Sequence, residues 1–176
     1  MRKLLVLFLY FFGSLQTGVS QTPGFALVPT TPTTNVMVAG ATSLTEISNA
    51  LLLALQTNNT GQLSTYFPSD AELKMLQKIG SEDMRAVLED KSAEDLQQSF
   101  ATDLQKVIAD GVTKTLNWTE LLVSDTKASK TTTKNRMLLP VETRLQTKQN
   151  KAVALLYEVV KIKNRYFLFR GIQLKA

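Results

Sequence analysis

Between Ser43 and Gly111 the apolar residues recur every three or four positions, and beyond Gly111 they recur every two, so the chain predicts helices first and strands afterwards. Leu44, Ile47, Leu51, Leu52 and Leu55 form one helical stripe. Ser43, three residues before Glu46, predicts a capping box at its start. "TNNTG" ends that helix, with Gly61 offered as the left-handed residue of its C-terminus. "QLSTYFP" reads as a short helical turn before Pro68. Ser69 and Glu72 then repeat the capping pattern ahead of Leu73, Leu76 and Ile79, and Gly80 closes the run. "SEDMRAVLED" predicts another short helix. The longest helix starts at Ser92, carries Leu96, Phe100, Leu104, Val107 and Ile108 on one face, and is expected to close at Gly111.

After Gly111, "TLNWTELLVSD" alternates around Trp118, Leu121, Leu122 and Val123. "MLLPVETRLQT" alternates through Met137, Leu139, Val141, Thr143 and Leu145. Pro140 cannot donate a ladder hydrogen bond, which places its strand at an edge or at a bulge. Residues 154–174 read as two strands around a turn at Lys163-Asn164-Arg165. Their alternation is unusual. Leu155, Tyr157 and Val159 face one way, and Leu156, Val160 and Ile162 the other; Phe167 and Phe169 oppose Tyr166, Leu168, Ile172 and Leu174. A sheet apolar on both faces needs two covers. Helices followed by strands give an α+β class: N-terminal helices packed on a mainly four-stranded antiparallel sheet.

The first 42 residues follow neither pattern. Arg2 and Lys3 precede an unbroken apolar run from Leu4 to Phe12, and Gly18 and Ser20 stand two apart beyond it. This is the order of parts in a secretory signal, with cleavage expected between Ser20 and Gln21. The nine apolar residues are too few for a span, which needs about 20. The reading is therefore a signal peptide over 1–20, a Pro- and Thr-rich linker over 21–42 and one α+β domain over 43–176. The product is expected to be exported, periplasmic or extracellular, with no membrane span after cleavage. The chain has no cysteine, which excludes disulfides and a lipid-modified cysteine, so stability must come from packing.

Charge is uneven along the chain. Residues 21–110 hold five Lys/Arg and eleven Asp/Glu, whereas residues 111–176 hold thirteen and four. Lys127, Lys130, Lys134 and Arg136 gather in "TKASKTTTKNR", a candidate anion-binding loop or, more plainly, a solvated one. No aromatic residue alternates with these cations as a stacking platform would require, so nucleic acid is not the expected partner.

With no histidine and no cysteine, triad catalysis and the usual nitrogen- and sulfur-ligated zinc sites are excluded. The scattered glycines form no phosphate loop, and neither a cofactor nor a metal is expected. Carboxylate or tyrosine chemistry in a pocket remains, with Glu120, Glu142, Glu158 and Tyr157 as its candidates. Against it stands a plainer reading, since a strand glutamate beside Lys or Arg usually forms a surface ion pair. Trp118, Tyr157, Tyr166, Phe167 and Phe169 are the candidate contacts for an apolar ligand.

Two stretches carry a family resemblance. "ISNALLLALQTNNTGQLSTYFP" resembles the long first helix, small-residue turn and short second helix of the nuclear transport factor 2-like superfamily, whose fold is also called cystatin-like. "KNRYFLFRGIQL" resembles its last hairpin. The resemblance covers roughly residues 43–174 and is to its small secreted bacterial members. It implies a curved sheet closed by the helices into a cone with an internal pocket, and a homodimer through the sheet. No catalytic motif of the superfamily stands at a matching position, so no catalytic residue is carried over. The expected function is that of an exported, non-enzymatic binding domain, holding a small apolar or amphipathic ligand or a partner protein. The alternatives are an isomerase- or cyclase-like enzyme using a pocket carboxylate, and an envelope protein-interaction module without a ligand.

Overall fold

The computed structural model describes residues 39–129, 137–148 and 151–175. The signal segment and all but the last four residues of the expected linker lie outside the described residues. The elements run in chain order: α1 (Leu44–Thr57), a 3-10 helix (Thr60–Tyr66), α2 (Asp70–Ile79), α3 (Glu82–Leu88), α4 (Ala93–Thr113), a 3-10 turn (Trp118–Glu120), then β1 (Leu122–Ala128), β2 (Leu138–Gln146), β3 (Ala152–Ile162) and β4 (Arg165–Lys175). The strands form one antiparallel sheet in the order β1-β2-β3-β4. The α+β class expected from the change of period is what the chain adopts.

Every α-helix begins at a serine whose hydroxyl accepts a backbone N–H of the first turn. Ser69 with Glu72 and Ser92 with Asp95 complete reciprocal boxes. The Ser92 hydrogen bonds hold the Asp95 carboxyl below its ordinary range. At α1 the acid reaches one residue further back. Glu46 Oε2 accepts from the backbone and hydroxyl of Thr42, both at 2.8 Å, and not from Ser43.

Helix ends depart from the expectation in two places. Asn58, with φ 50°, supplies the left-handed end of α1, and Gly61 falls inside the 3-10 helix. Asn is the residue that next best tolerates that conformation. Helix α4 runs past Gly111 to Thr113, because Gly111 is used for a close side-chain approach and not as a stop.

Pro140 is not on an edge strand. It lies in β2, an inner strand, in register with Glu158 of β3. The β1–β2 ladder ends one residue earlier, at Ala128 opposite Val141, and the Pro140 carbonyl then accepts from Ser129 N at 2.8 Å. A residue's N–H and C=O point to the same neighbour, so the missing donor faces a place where β1 has already stopped. The β3–β4 turn is one residue shorter than read, Lys163-Asn164, with Ile162 paired to Arg165. Trp118 and Glu120 belong to the 3-10 turn before β1, not to a strand.

The two apolar faces of the sheet have different covers. Val141, Leu145, Leu155, Tyr157, Val159, Leu168 and Ile172 join one core with Ile47, Leu51 and Leu55 of α1 and Phe100, Leu104 and Val107 of α4. On the other face Leu138, Val160, Ile162, Phe167 and Phe169 pack with Leu73 and Leu76 of α2, Met84 and Leu88 of α3 and Leu96 of α4. The rest of that second face carries the half-buried Leu156 and a set of charges. Asp125 stands opposite Arg144 and Lys127 opposite Glu142, while Asp125 also pairs with Lys127 at 2.6 Å and Glu142 with Arg144 at 3.2 Å. Of the apolar residues expected on that face, Val160, Ile162, Phe167 and Phe169 are covered by the chain's own helices, while Leu156 stays half-buried in an open groove.

Residues 39–42, read as linker, are pinned to the domain. Ala41 exchanges both backbone hydrogen bonds with Tyr166 (2.8 and 2.9 Å), adding one residue to the β4 edge. Arg165 Nη1 donates to the carbonyls of Ala39 and Gly40, at 3.3 and 2.6 Å. Gly40 has φ +79°, and a Cβ there would lie 2.6 Å from the Phe167 ring, so both backbone and space require glycine.

Candidate functional site

The pairing of α1 with the sheet buries a group of hydroxyls. Ser48 lies on the apolar stripe of α1 between Ile47 and Leu51, and Thr143 lies at an inward position of β2; both are fully buried. Ser48 Oγ lies 2.8 Å from Thr126 Oγ1, 2.8 Å from Thr143 Oγ1 and 3.0 Å from the Tyr157 hydroxyl, and donates to the Leu44 carbonyl at 3.0 Å. Thr143 and Tyr157 close a triangle at 3.0 Å. Four hydroxyl protons are shared among these five contacts, and Ser48 is the hub. Burial pushes the Tyr157 hydroxyl above its ordinary 10.0, and the hydrogen bonds to Ser48 and Thr143 oppose that in part. Within this group of hydroxyls there is no carboxylate or amine to move a proton, so it is a polar pin between helix and sheet. Sequence reasoning named Tyr157 and missed Ser48 and Thr143. The available signal was a hydroxyl residue at a core parity of two separate apolar stripes.

The three glutamates go elsewhere. Glu120 is exposed and accepts from Asn117 Nδ2 at 2.8 Å. Glu142 pairs with Arg144, and Glu158 with Arg170 across the β3–β4 ladder. These arrangements are those of surface polar pairs, and none joins Tyr157 in the core. Of the basic loop, Lys127 is neutralised by Asp125, while Lys130, Lys134 and Arg136 lie outside the described residues.

The aromatic candidates divide between the two cores. Trp118 packs on α4 with its indole over Gly111, and its buried Nε1 has no hydrogen-bond partner. Gln56 of α1 holds the adjoining turn by donating to the carbonyls of Trp118 and Leu121, each at 3.2 Å. Tyr157 belongs to the α1 core, and Tyr166 is half-buried against it under Lys161. Phe167 and Phe169 belong to the α2–α3 core. Of the five, only Phe167 reaches the opening described next.

Where α2 meets the β3–β4 turn, a groove of about 580 Å³ stays open. Ala39, Ala71, Met75, Ile162 and Phe167 give it an apolar lining, and Glu72, Lys163, Asn164 and Arg165 stand around it. A second groove, of about 540 Å³, follows the outer sheet face between Ser99 and Asp103 of α4 and the Glu158–Arg170 pair, and is more polar. By contrast, the space between α1, α4 and the sheet is occupied by their own side chains.

No family model, curated protein or solved structure matches this chain. Among the described residues no helix is long and apolar enough to cross a membrane.

Proposed function

We propose that this chain is an exported, non-enzymatic binding domain of nuclear transport factor 2-like construction, whose working surface is the groove between α2 and the β3–β4 turn. Export is supported by Arg2 and Lys3 ahead of the Leu4–Phe12 run and by Gly18 and Ser20 beyond it. The resemblance is supported by the order of elements, helices first and two terminal hairpins after. The observation that carries the binding reading is the groove itself: an apolar lining left open in a fold whose interior is otherwise packed. A carboxylate enzyme has less support, since each candidate glutamate has a surface partner.

Native mass spectrometry on the product purified from its own host tests this reading. The expected spectrum is a monomer lacking residues 1–20 and carrying a reproducible small-molecule adduct. An unprocessed chain would overturn export. A bare monomer that gains no ligand from host extract would overturn the ligand reading, leaving a partner protein as the occupant. A dimer without adduct would restore the sheet-mediated homodimer.

A further inference from the structure

We infer that the chain has a second working surface, the outer edge of β1. Its partner is the same edge of a second copy, the two strands running antiparallel about a two-fold axis at Thr126.

The backbone supplies the contact. β1 ends the sheet, and among the described residues no strand or turn hydrogen-bonds to its outer side. The opposite end is different, since β4 is met by Ala41 and packed by α4. In an antiparallel ladder successive residues turn their N–H and C=O alternately to one side and the other. Ser129 N donates to the Pro140 carbonyl of β2, so Lys127 and Asp125 also turn theirs to β2. Thr126 and Ala128 therefore turn theirs outward. The Asp125 carboxylate of the same strand stands beside the Thr126 N–H. An edge with such groups can take up a further strand.

The charges select which strand. Asp125 and Lys127 lie on the outer sheet face and pair with each other at 2.6 Å, so β1 brings no net charge. A lysine on an edge opposes a strand that cannot answer it. A second β1 can, in one register. With Thr126 opposite Thr126, Asp125 of each copy stands across from Lys127 of the other. The outward Thr126 groups then exchange both backbone hydrogen bonds across the axis. Glu142 already stands opposite Lys127, and Arg144 opposite Asp125. Each row across the joined sheets thus reads Glu142, Lys127, the partner's Asp125 and the partner's Arg144, alternating in sign. Moving the axis by one residue sets Lys127 against Lys127, or Asp125 against Asp125, and both are unfavourable.

The same strand limits the strength. A bulge between Val123 and Asp125 ends the regular pairing on one side, so the contact is short. A dissociation constant on the order of 100 µM is expected for so small an interface. The chain is then monomeric at the low concentrations of native mass spectrometry, and the groove keeps its own test. The pairing joins edges and leaves both sheet faces as they are, unlike a homodimer through the sheet face.

The test is sedimentation equilibrium of the chain purified from its own host, over about 5–500 µM, with dimer expected at the upper end. Asp125→Lys and Lys127→Asp each set like charges opposite in this register and should weaken self-association at least about tenfold. Mixed in equal amounts, the two variants place lysine opposite aspartate at each position and should associate at least as well as the unaltered chain. Both substitutions are on the outer sheet face, and circular dichroism with urea unfolding checks that each variant is folded. A chain monomeric at every concentration would overturn the inference and leave β1 a protected edge. Self-association unchanged by the single substitutions would place the contact elsewhere and overturn it as well. Folded variants that fail to associate on mixing would overturn the register.

Discussion

Ser48 on α1 and Tyr157 on β3, 109 residues apart in sequence, are joined through their hydroxyls at 3.0 Å inside the core. A helix can slide or rotate over an apolar sheet at modest cost, because apolar contact has no direction. Hydrogen bonds do have direction, and three hydroxyls meeting at the Ser48 oxygen fix where α1 lies on β1, β2 and β3.

That geometry ranks the members. Ser48→Ala removes the shared partner of Thr126, Thr143 and Tyr157 and should cost about 2–3 kcal/mol. Tyr157→Phe leaves the Ser48–Thr143 bond intact and should cost about 1 kcal/mol. The double variant should cost less than the sum of the two. Urea unfolding of the three variants checks the order, and equal single costs would argue against a hub.

Tyr157 also sets an alkaline limit. Its folded value lies above the ordinary 10.0, so the folded state holds its proton more tightly than the unfolded chain does. The resulting stability is complete below pH 10 and is lost as pH rises through the folded value. Unfolding free energy should therefore fall with rising pH from about pH 10 upward. In Tyr157→Phe that decline should be shallower, and parallel curves for the two proteins would contradict the assignment.

Gly111→Ala would place a Cβ 2.4 Å from Trp118 Cζ2. Alanine is the better helix former by about 1 kcal/mol, but the indole has to leave its seat. The net result should be a loss of about 1–3 kcal/mol. The chain has one tryptophan, so its fluorescence reports the event directly. A red shift accompanying the loss is expected, and a stabilised protein with unchanged emission would show that the helix gain prevails.

Glu142→Gln and Glu158→Gln each remove one member of an ion pair open to water. Each should change stability by less than about 1 kcal/mol, with the effect diminishing in salt. Neither should alter binding of a ligand in the α2 groove, because neither residue lines it.

The helical half was legible because its signals are local. Ser69 with Glu72 is read within four residues, Ser92 stands directly before its helix, and both caps form where expected. The parity of Leu155, Tyr157 and Val159 against Leu156, Val160 and Ile162 also separated the two faces, although Leu156 joins neither core. What covers each face was not legible, because it depends on how α2 and α3 fold back across a distance that no local pattern records. Pro140 was misread for the same reason: its tolerance in β2 depends on where β1 happens to stop. The groove escaped notice because it joins α2 to a turn some ninety residues later, and Met75 alone in a helix carries no mark of it.

The pairing of Ala41 with Tyr166 has a consequence for how the domain is made. The segment just before α1 closes onto the β3–β4 hairpin, so the two form one clasp. Helices α1 to α4 emerge first during synthesis, with their apolar stripes facing strands that do not yet exist. Most of their stability comes from that packing, so they stay loose until β3 and β4 follow. The Ala41–Tyr166 clasp can form only once β4 has been made, so the segment before α1 is tied down after the strands are in place.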